Sequence, residues 1–151
     1  MTIKKAIKKG NASVEIISKY HGMKNSANNG TIETDKTHIT TASVLYDAVF
    51  IPGGRASVEK MMQQGDALHF ILEAYKHYKP IGATGEGVDM LRNVFLKNVQ
   101  LAVDEQDDVI SHLGVVTVCD NSKLDDFAEA FTRAIAWHRH WEREGVESIP
   151  A

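Results

Sequence analysis

The sequence has 151 residues, 43% of them hydrophobic, which is enough for one globular domain with a buried core. Its 17 Lys and Arg against 20 Asp and Glu leave a net charge of -3 with the signs interspersed, so electrostatics give no case for a nucleic-acid or anionic-membrane partner. No long apolar run and no signal-peptide pattern is visible, and a lone cysteine, Cys119, excludes an intramolecular disulfide framework and fits a reducing, cytoplasmic compartment.

In chain order, Ile3, Ala6 and Ile7 share one face of a short lysine-rich helix ended by Gly10-Asn11, with the lysines on the solvated face. Val14–Ser18 reads as a buried strand, and Gly22–Gly30 (GMKNSANNG) as a loop and the segment best suited to disorder. Weak alternation over Thr31–Thr40 predicts a peripheral hairpin. Asp47–Pro52 is an apolar strand that runs into Gly53-Gly54. A helix over Ser57–Gln64 follows, and Asp66 reads as the N-cap of a second over Ala67–Tyr78, striped by Leu68, Ile71, Leu72 and Tyr75.

Lys79–Leu91 (KPIGATGEGVDML) organises the rest. An apolar strand, Ile81 to Thr84, turns sharply at Gly85-Glu86-Gly87 into a run with helical spacing (Val88, Leu91, Val94, Phe95). Strands that turn into helices this way present nucleophiles at the carboxyl end of a sheet. The tip is Gly85, which takes positive φ without steric cost and has no side chain that could attack. Val99–Val103 is a further strand candidate, Asp104–Asp108 an acidic loop without calcium-loop spacing, and Val115–Val118 a last buried strand. Asp120-Asn121-Ser122 starts a long helix, Lys123–Arg143, ended by Gly145. Strands alternating with helices predict a parallel sheet covered on both faces, with any site at the carboxyl ends of its strands.

Gly85-Glu86-Gly87 lacks the third glycine of a dinucleotide fingerprint, and no phosphate-loop lysine follows. Two residues apart on a helix, His138 and His140 point in different directions and cannot share a metal ion. Trp137 and Trp141 would lie on one helical face and read as interface anchors. Cys119 reads as a small core hydrophobe.

The elbow resembles that of the PfpI-like (class I glutamine amidotransferase-like) superfamily, Ala-x-Cys-x-Gly after a Lys-Pro strand start. Lys79-Pro80, Ala83 and Gly87 match, which puts Gly85 on the cysteine and Glu86 on the residue after it. Within that superfamily, Thr40–Gly54, Gly65–Leu91 and Phe127–Glu144 are similar to the C-terminal domain of large-subunit catalases, whose elbow also lacks the cysteine.

The resemblance implies a flavodoxin-like three-layer α/β sandwich over residues 1–151, shortened at the amino terminus so that the first strand, and the carboxylate at its end that polarises the cysteine, are missing. It places a vestigial oxyanion turn at Gly53 and Gly54 and a degenerate elbow at Gly85 and Glu86. It implies no cofactor or metal in this chain, and haem in a separate barrel domain of a parent that disproportionates hydrogen peroxide. The implied role is non-catalytic: stabilising a homo-oligomer, docking a catalase core, or holding unfolded clients. The competing class is a divergent PfpI-like protease, amidase or amidotransferase-like enzyme. A missing central strand also predicts that Val14–Ser18 pairs directly beside Asp47–Ile51, or that another chain covers the edge.

Overall fold

The computed structural model describes residues 2–25, 29–94, 96 and 98–151. Met1, Ser26–Asn28, Phe95 and Lys97 lie outside the described residues, and with them part of the disorder expected for the Gly22–Gly30 loop and one position of the elbow-helix stripe. In chain order the elements are α1 (Thr2–Lys9), β1 (Ile17–Ser18), β2 (Gly22–Asn25), β3 (Thr31–Thr34), β4 (Lys36–Thr37), β5 (Val49–Ile51), α2 (Arg55–Met62), α3 (Gly65–Lys76), β6 (Ile81–Thr84), α4 (Gly87–Asn93), β7 (Ile110–His112), β8 (Val115–Val118) and α5 (Leu124–Ala136).

The main sheet has four strands in the order β5-β6-β8-β7. β5, β6 and β8 run parallel, with Val49 opposite Ile81 and Ile81 opposite Val115, and β7 closes one edge antiparallel. Every residue of β6 and β8 is buried, as a sheet with helices on both faces requires. Ile51, Ile81, Ala83 and Val115 pack on one side against Val58, Ile71, Tyr75, Val88 and Leu91 from α2, α3 and α4. Val116 and Val118 pack on the other against Phe127 and Phe131 of α5 and Ile3 of α1, with Ala48 and Phe50 alongside. Gly82 lets α5 approach, since a Cβ there would stand 2.9 Å from both Phe127 and Phe131. The result is the three-layer α/β arrangement that the elements predict.

Several expectations need correction. The strand expected over Val14–Ser18 is confined to Ile17–Ser18, and it pairs parallel with Lys36–Thr37 rather than beside β5. The Asp35 carboxylate accepts the Ile16 N–H at 2.6 Å and holds this pairing in place. Gly22–Asn25 is not loop but a strand antiparallel to Thr31–Thr34, so the hairpin expected within Thr31–Thr40 is made with the segment before it. Asp66 does not cap α3. It lies in the first turn, and Gln64 is the cap residue.

Val99–Val103 forms no strand, because Ile110–His112 takes the seat beside β8. The segment is tied instead by side chains, with the Ala102 N–H donating to Thr117 Oγ1 at 2.9 Å and the Gln100 N–H to His112 Nδ1 at 3.1 Å. The last helix stops at Ala136 instead of reaching Arg143. His138 adopts a left-handed conformation at φ 65° and turns the chain back.

Candidate functional site

Two ends of the sheet carry the residues singled out by sequence. At the carboxyl end, Gly85 occupies the tip of the β6-to-α4 turn with φ 52°, and its N–H donates to the Val118 carbonyl at 2.8 Å. A Cβ on Gly85 would meet nothing nearer than Gly53 Cα at 3.6 Å and Asn121 Oδ1 at 3.8 Å, so the tip has room for a side chain that the sequence does not supply. Gly87 is the crowded glycine, where a Cβ would come within 2.6 Å of the Ile51 carbonyl oxygen. That close approach seats the start of α4 against the end of β5.

Gly54, at φ 125°, is the cap residue of α2, and its N–H points across to the elbow. Glu86 Oε2 accepts that N–H at 2.9 Å. Hydrogen bonds from Gly54 and from the backbone of Glu86 itself hold its carboxyl below the ordinary carboxylate range, with Arg55 adding to the effect. The backbone donor expected to face a developing charge therefore faces a resident carboxylate. Thr84, before the tip, is buried.

Cys119 lies one residue beyond β8, at the same end of the sheet, partly buried with the Arg92 guanidinium 3.8 Å from its sulfur. Arg92 is also anchored by Asp89 and by the Ala102 and Val103 carbonyls. The sequence reads Cys119 as a small core hydrophobe and Asn121 only as part of a helix start. The parallel register of β6 and β8, with Thr84 opposite Val118, brings both near the elbow.

The amino end of the sheet is built differently. Lys79, 3% exposed, donates from Nζ to the Val44 carbonyl at 2.5 Å and to the Tyr46 carbonyl. Burial lowers its pKa, with Arg139 adding repulsion. Arg143, also 3% exposed, donates to the carbonyls of Leu113 at 2.7 Å, Tyr75 at 2.9 Å and Lys79 at 2.8 Å. Its guanidinium lies 4.3 Å from the Tyr75 ring centroid, and burial brings its pKa down to about 10. His140 points inward, its Nε2 3.1 Å from the Ala134 carbonyl at the end of α5, while its backbone N–H donates to Tyr78.

Trp137 and Trp141 therefore do not share a helical face. Trp141 follows the chain reversal and packs on Tyr78 with ring centroids 4.7 Å apart. Both tryptophans remain exposed, at 73% and 70%, with Leu45 at 74%. His138 and His140 diverge because the helix has ended, not because of helical spacing: His138 faces Asp47 at 4.0 Å while His140 is buried. Among the described residues no group of three or more His, Cys, Asp or Glu could hold a metal ion. Also among them, no helix is long and apolar enough to cross a membrane.

The fold is shared with DJ-1/ThiJ/PfpI proteins. Solved structures of that kind superpose closely. A two-domain protein of Anabaena variabilis with DJ-1/ThiJ/PfpI-like and ferritin-like domains matches with TM-score 0.81 at 16% identity, over 95% of this chain and 47% of that one. A ThiJ/PfpI domain protein of Brachyspira murdochii gives 0.76 at 16% identity, over 90% and 87%. At that identity the likeness is one of fold.

The family is set by sequence. Residues 1–145 match the model of the C-terminal domain found in long catalases, and the chain belongs to that family. It is 44% identical to Catalase HPII of Mycobacterium avium over 124 residues, 81% of this chain and 17% of that protein. It is 38% identical to Catalase-2 of Bacillus subtilis over 142 residues, 94% of this chain and 18% of that protein. The chain thus spans less than a fifth of the length of these relatives.

Proposed function

We propose that the chain acts as a non-catalytic accessory domain of the long-catalase type. The observation that carries this reading is the elbow itself. Its tip is Gly85, and the Gly54 N–H that points across to the elbow is engaged by the Glu86 carboxylate. Acyl transfer needs a nucleophile and a vacant seat for the oxyanion, and here the first is lacking and the second is filled. Gly53, Gly54, Gly85 and Glu86 are on this reading the vestige of a site whose scaffold is kept for packing.

The work is then structural. Trp137 and Trp141 would anchor an interface, either in a homo-oligomer or against the catalase core of a parent protein, and an exposed apolar face also suits unfolded clients. Peroxide disproportionation would belong to haem in that core. Neither of two surface grooves, about 490 and 560 Å³, has the enclosed apolar form a haem takes: both are open, and they mix Lys9, Asp125, Glu129 and Arg133 with alanines, and Glu73, His77, Lys79 and Arg139 with Val44, Tyr78 and Trp141. A lone cysteine suits the reducing cytoplasm.

One observation favours the enzyme reading, the placement of Cys119 and Arg92 at the same strand ends as the elbow. Incubation with peroxide, methylglyoxal and peptide amides, followed by mapping of adducts from a panel of electrophiles, separates the two. No turnover and no hyper-reactive residue is expected. Turnover abolished by Cys119→Ala would establish the enzyme instead.

A further inference from the structure

We propose that the segment His38–Tyr46 is an acid-released strap over α3, which uncovers Phe70 of that helix when His38 takes up a proton. The segment leaves β4 and is attached to its surroundings at three points. At its start the His38 ring packs edge-on against Phe70, with centroids 5.7 Å apart and planes at 71°. In its middle the Glu73 carboxylate accepts the Ser43 N–H at 2.8 Å and the Ser43 hydroxyl at 2.9 Å. At its end Tyr46 packs on Phe70 at 6.2 Å, and Lys79 Nζ donates to the carbonyls of Val44 and Tyr46. Phe70, touched by both ends of the strap, is left 7% exposed.

Two of these attachments hold in one protonation state only. His38 Nδ1 is buried and, alone among the buried side-chain nitrogens and oxygens of the described residues, makes no hydrogen bond. A proton there would place a charge and an unsatisfied donor against an aromatic ring, and burial accordingly lowers the His38 pKa. Asp66 is the charged group that faces it from α3, and its attraction offsets only part of that burial. From β1 the Ser18 carbonyl accepts the His38 backbone N–H at 3.2 Å. Glu73 needs the opposite state. Burial raises its pKa, but the two Ser43 hydrogen bonds, helped by His69 and His77 on the same helix, bring it below 4.5. The third attachment survives acid, because the Lys79 ammonium keeps its protons there. Beside it, Glu15 accepts the Tyr46 hydroxyl at 2.5 Å and pairs with Lys36.

The direction of the switch follows from the signs. The His38 pKa lies below 6.5 while the strap is closed, so its share of the docking is whole above 6.5 and is lost as pH falls through the lower, folded value. The share of Glu73 is whole above 4.5 and is lost as pH falls through its own folded value. Acid therefore begins to free the strap at its His38 end, before the carboxylate titrates, while Lys79 holds Val44 and Tyr46 in place. The inference rests on these contacts alone and stands whether or not the accessory role does.

The test uses the whole chain. NMR titration follows the His38 ring, and hydrogen exchange, corrected for the intrinsic rate at each pH, follows the Ser43 amide and the amides of β6. The His38 ring should stay neutral below pH 6.5. Ser43 protection should fall by up to about tenfold per pH unit between 6.5 and 4.5, with β6 unchanged. In His38→Leu that protection should persist down to pH 4.5. Glu73→Gln keeps an acceptor for Ser43 and should lose protection only over the His38 range. A His38 ring that titrates at or above 6.5 overturns the inference, and this readout needs no variant should His38→Leu fail to fold. Loss of Ser43 protection over the same range in the parent and in His38→Leu overturns it too. So does loss at β6 in step with Ser43, since the whole fold would then be opening.

Discussion

The two ends of the sheet differ in how their polar groups are used. At the amino end, two cations, Lys79 and Arg143, are buried with no ion pair among the described residues, and both satisfy backbone carbonyls where chain segments meet. At the carboxyl end the polar groups are partly exposed, and the glycine tip leaves space around it unfilled. Buried charges are costly unless every hydrogen bond is made, so the amino end must be assembled for the chain to fold. The carboxyl end is under no such obligation, and changes at its glycine tip should cost the fold less.

That contrast is most exposed to Arg143→Ala. It strands the carbonyls of Leu113 and Lys79 and takes one of several donors from that of Tyr75, in a region the guanidinium fills. A loss of about 3 kcal/mol is expected from the urea midpoint, with Arg143→Lys recovering only part, because a lysine cannot reach all three. Lys79→Met should cost less, about 2 kcal/mol, since it strands two carbonyls and Val44 is partly open to water. Equal tolerance of these changes and of changes at the elbow would erase the distinction between the ends.

Gly85→Ala should cost about 1 kcal/mol, from the left-handed backbone alone, because the Cβ meets no close neighbour. A variant as stable as the parent would show that the turn relaxes away from positive φ.

The hydrogen bond between Gly54 and Glu86 can be tested through pH. Its folded pKa lies below the ordinary 4.5, so its contribution is complete above that value and is lost as pH falls through the folded pKa. In Glu86→Gln the urea midpoint should fall less steeply between pH 4.5 and more acid conditions than in the parent. Identical pH profiles would mean that the carboxylate does not engage Gly54 in solution. The smallest effect is expected from Trp137→Ala, at 73% exposure, which should change the stability of the isolated chain by no more than about 0.5 kcal/mol. A larger loss would mean that the face is already covered.

The central parallel strands and the elbow were legible in the sequence because each is written locally. Val115–Val118 is an unbroken β-branched run, and Gly85-Glu86-Gly87 between Thr84 and Val88 can only be a sharp turn. Gly85 has the positive φ that its place at the tip demands. Family membership was equally legible, since it depends on residues spread over most of the chain.

What sequence could not supply is competition between segments. Val99–Val103 has strand character and loses its place to Ile110–His112, which pairs antiparallel with β8 across a tight turn at Leu113-Gly114. Helical spacing continues past Ala136, yet the chain leaves the helix because burying His140 and Arg143 against α3 and the start of β6 satisfies carbonyls that a straight helix would leave open. Val14–Ser18 reads as a core strand but pairs only through Ile17 and Ser18, with Lys36 and Thr37. By itself the sequence determined the elements whose burial is complete on both faces, and with them the glycine at the elbow. Tertiary structure alone decided which marginal strand won a partner, where the last helix ended and which carboxylate met the Gly54 N–H. Those outcomes depend on hydrogen bonds between residues far apart in the chain, which local pattern does not encode.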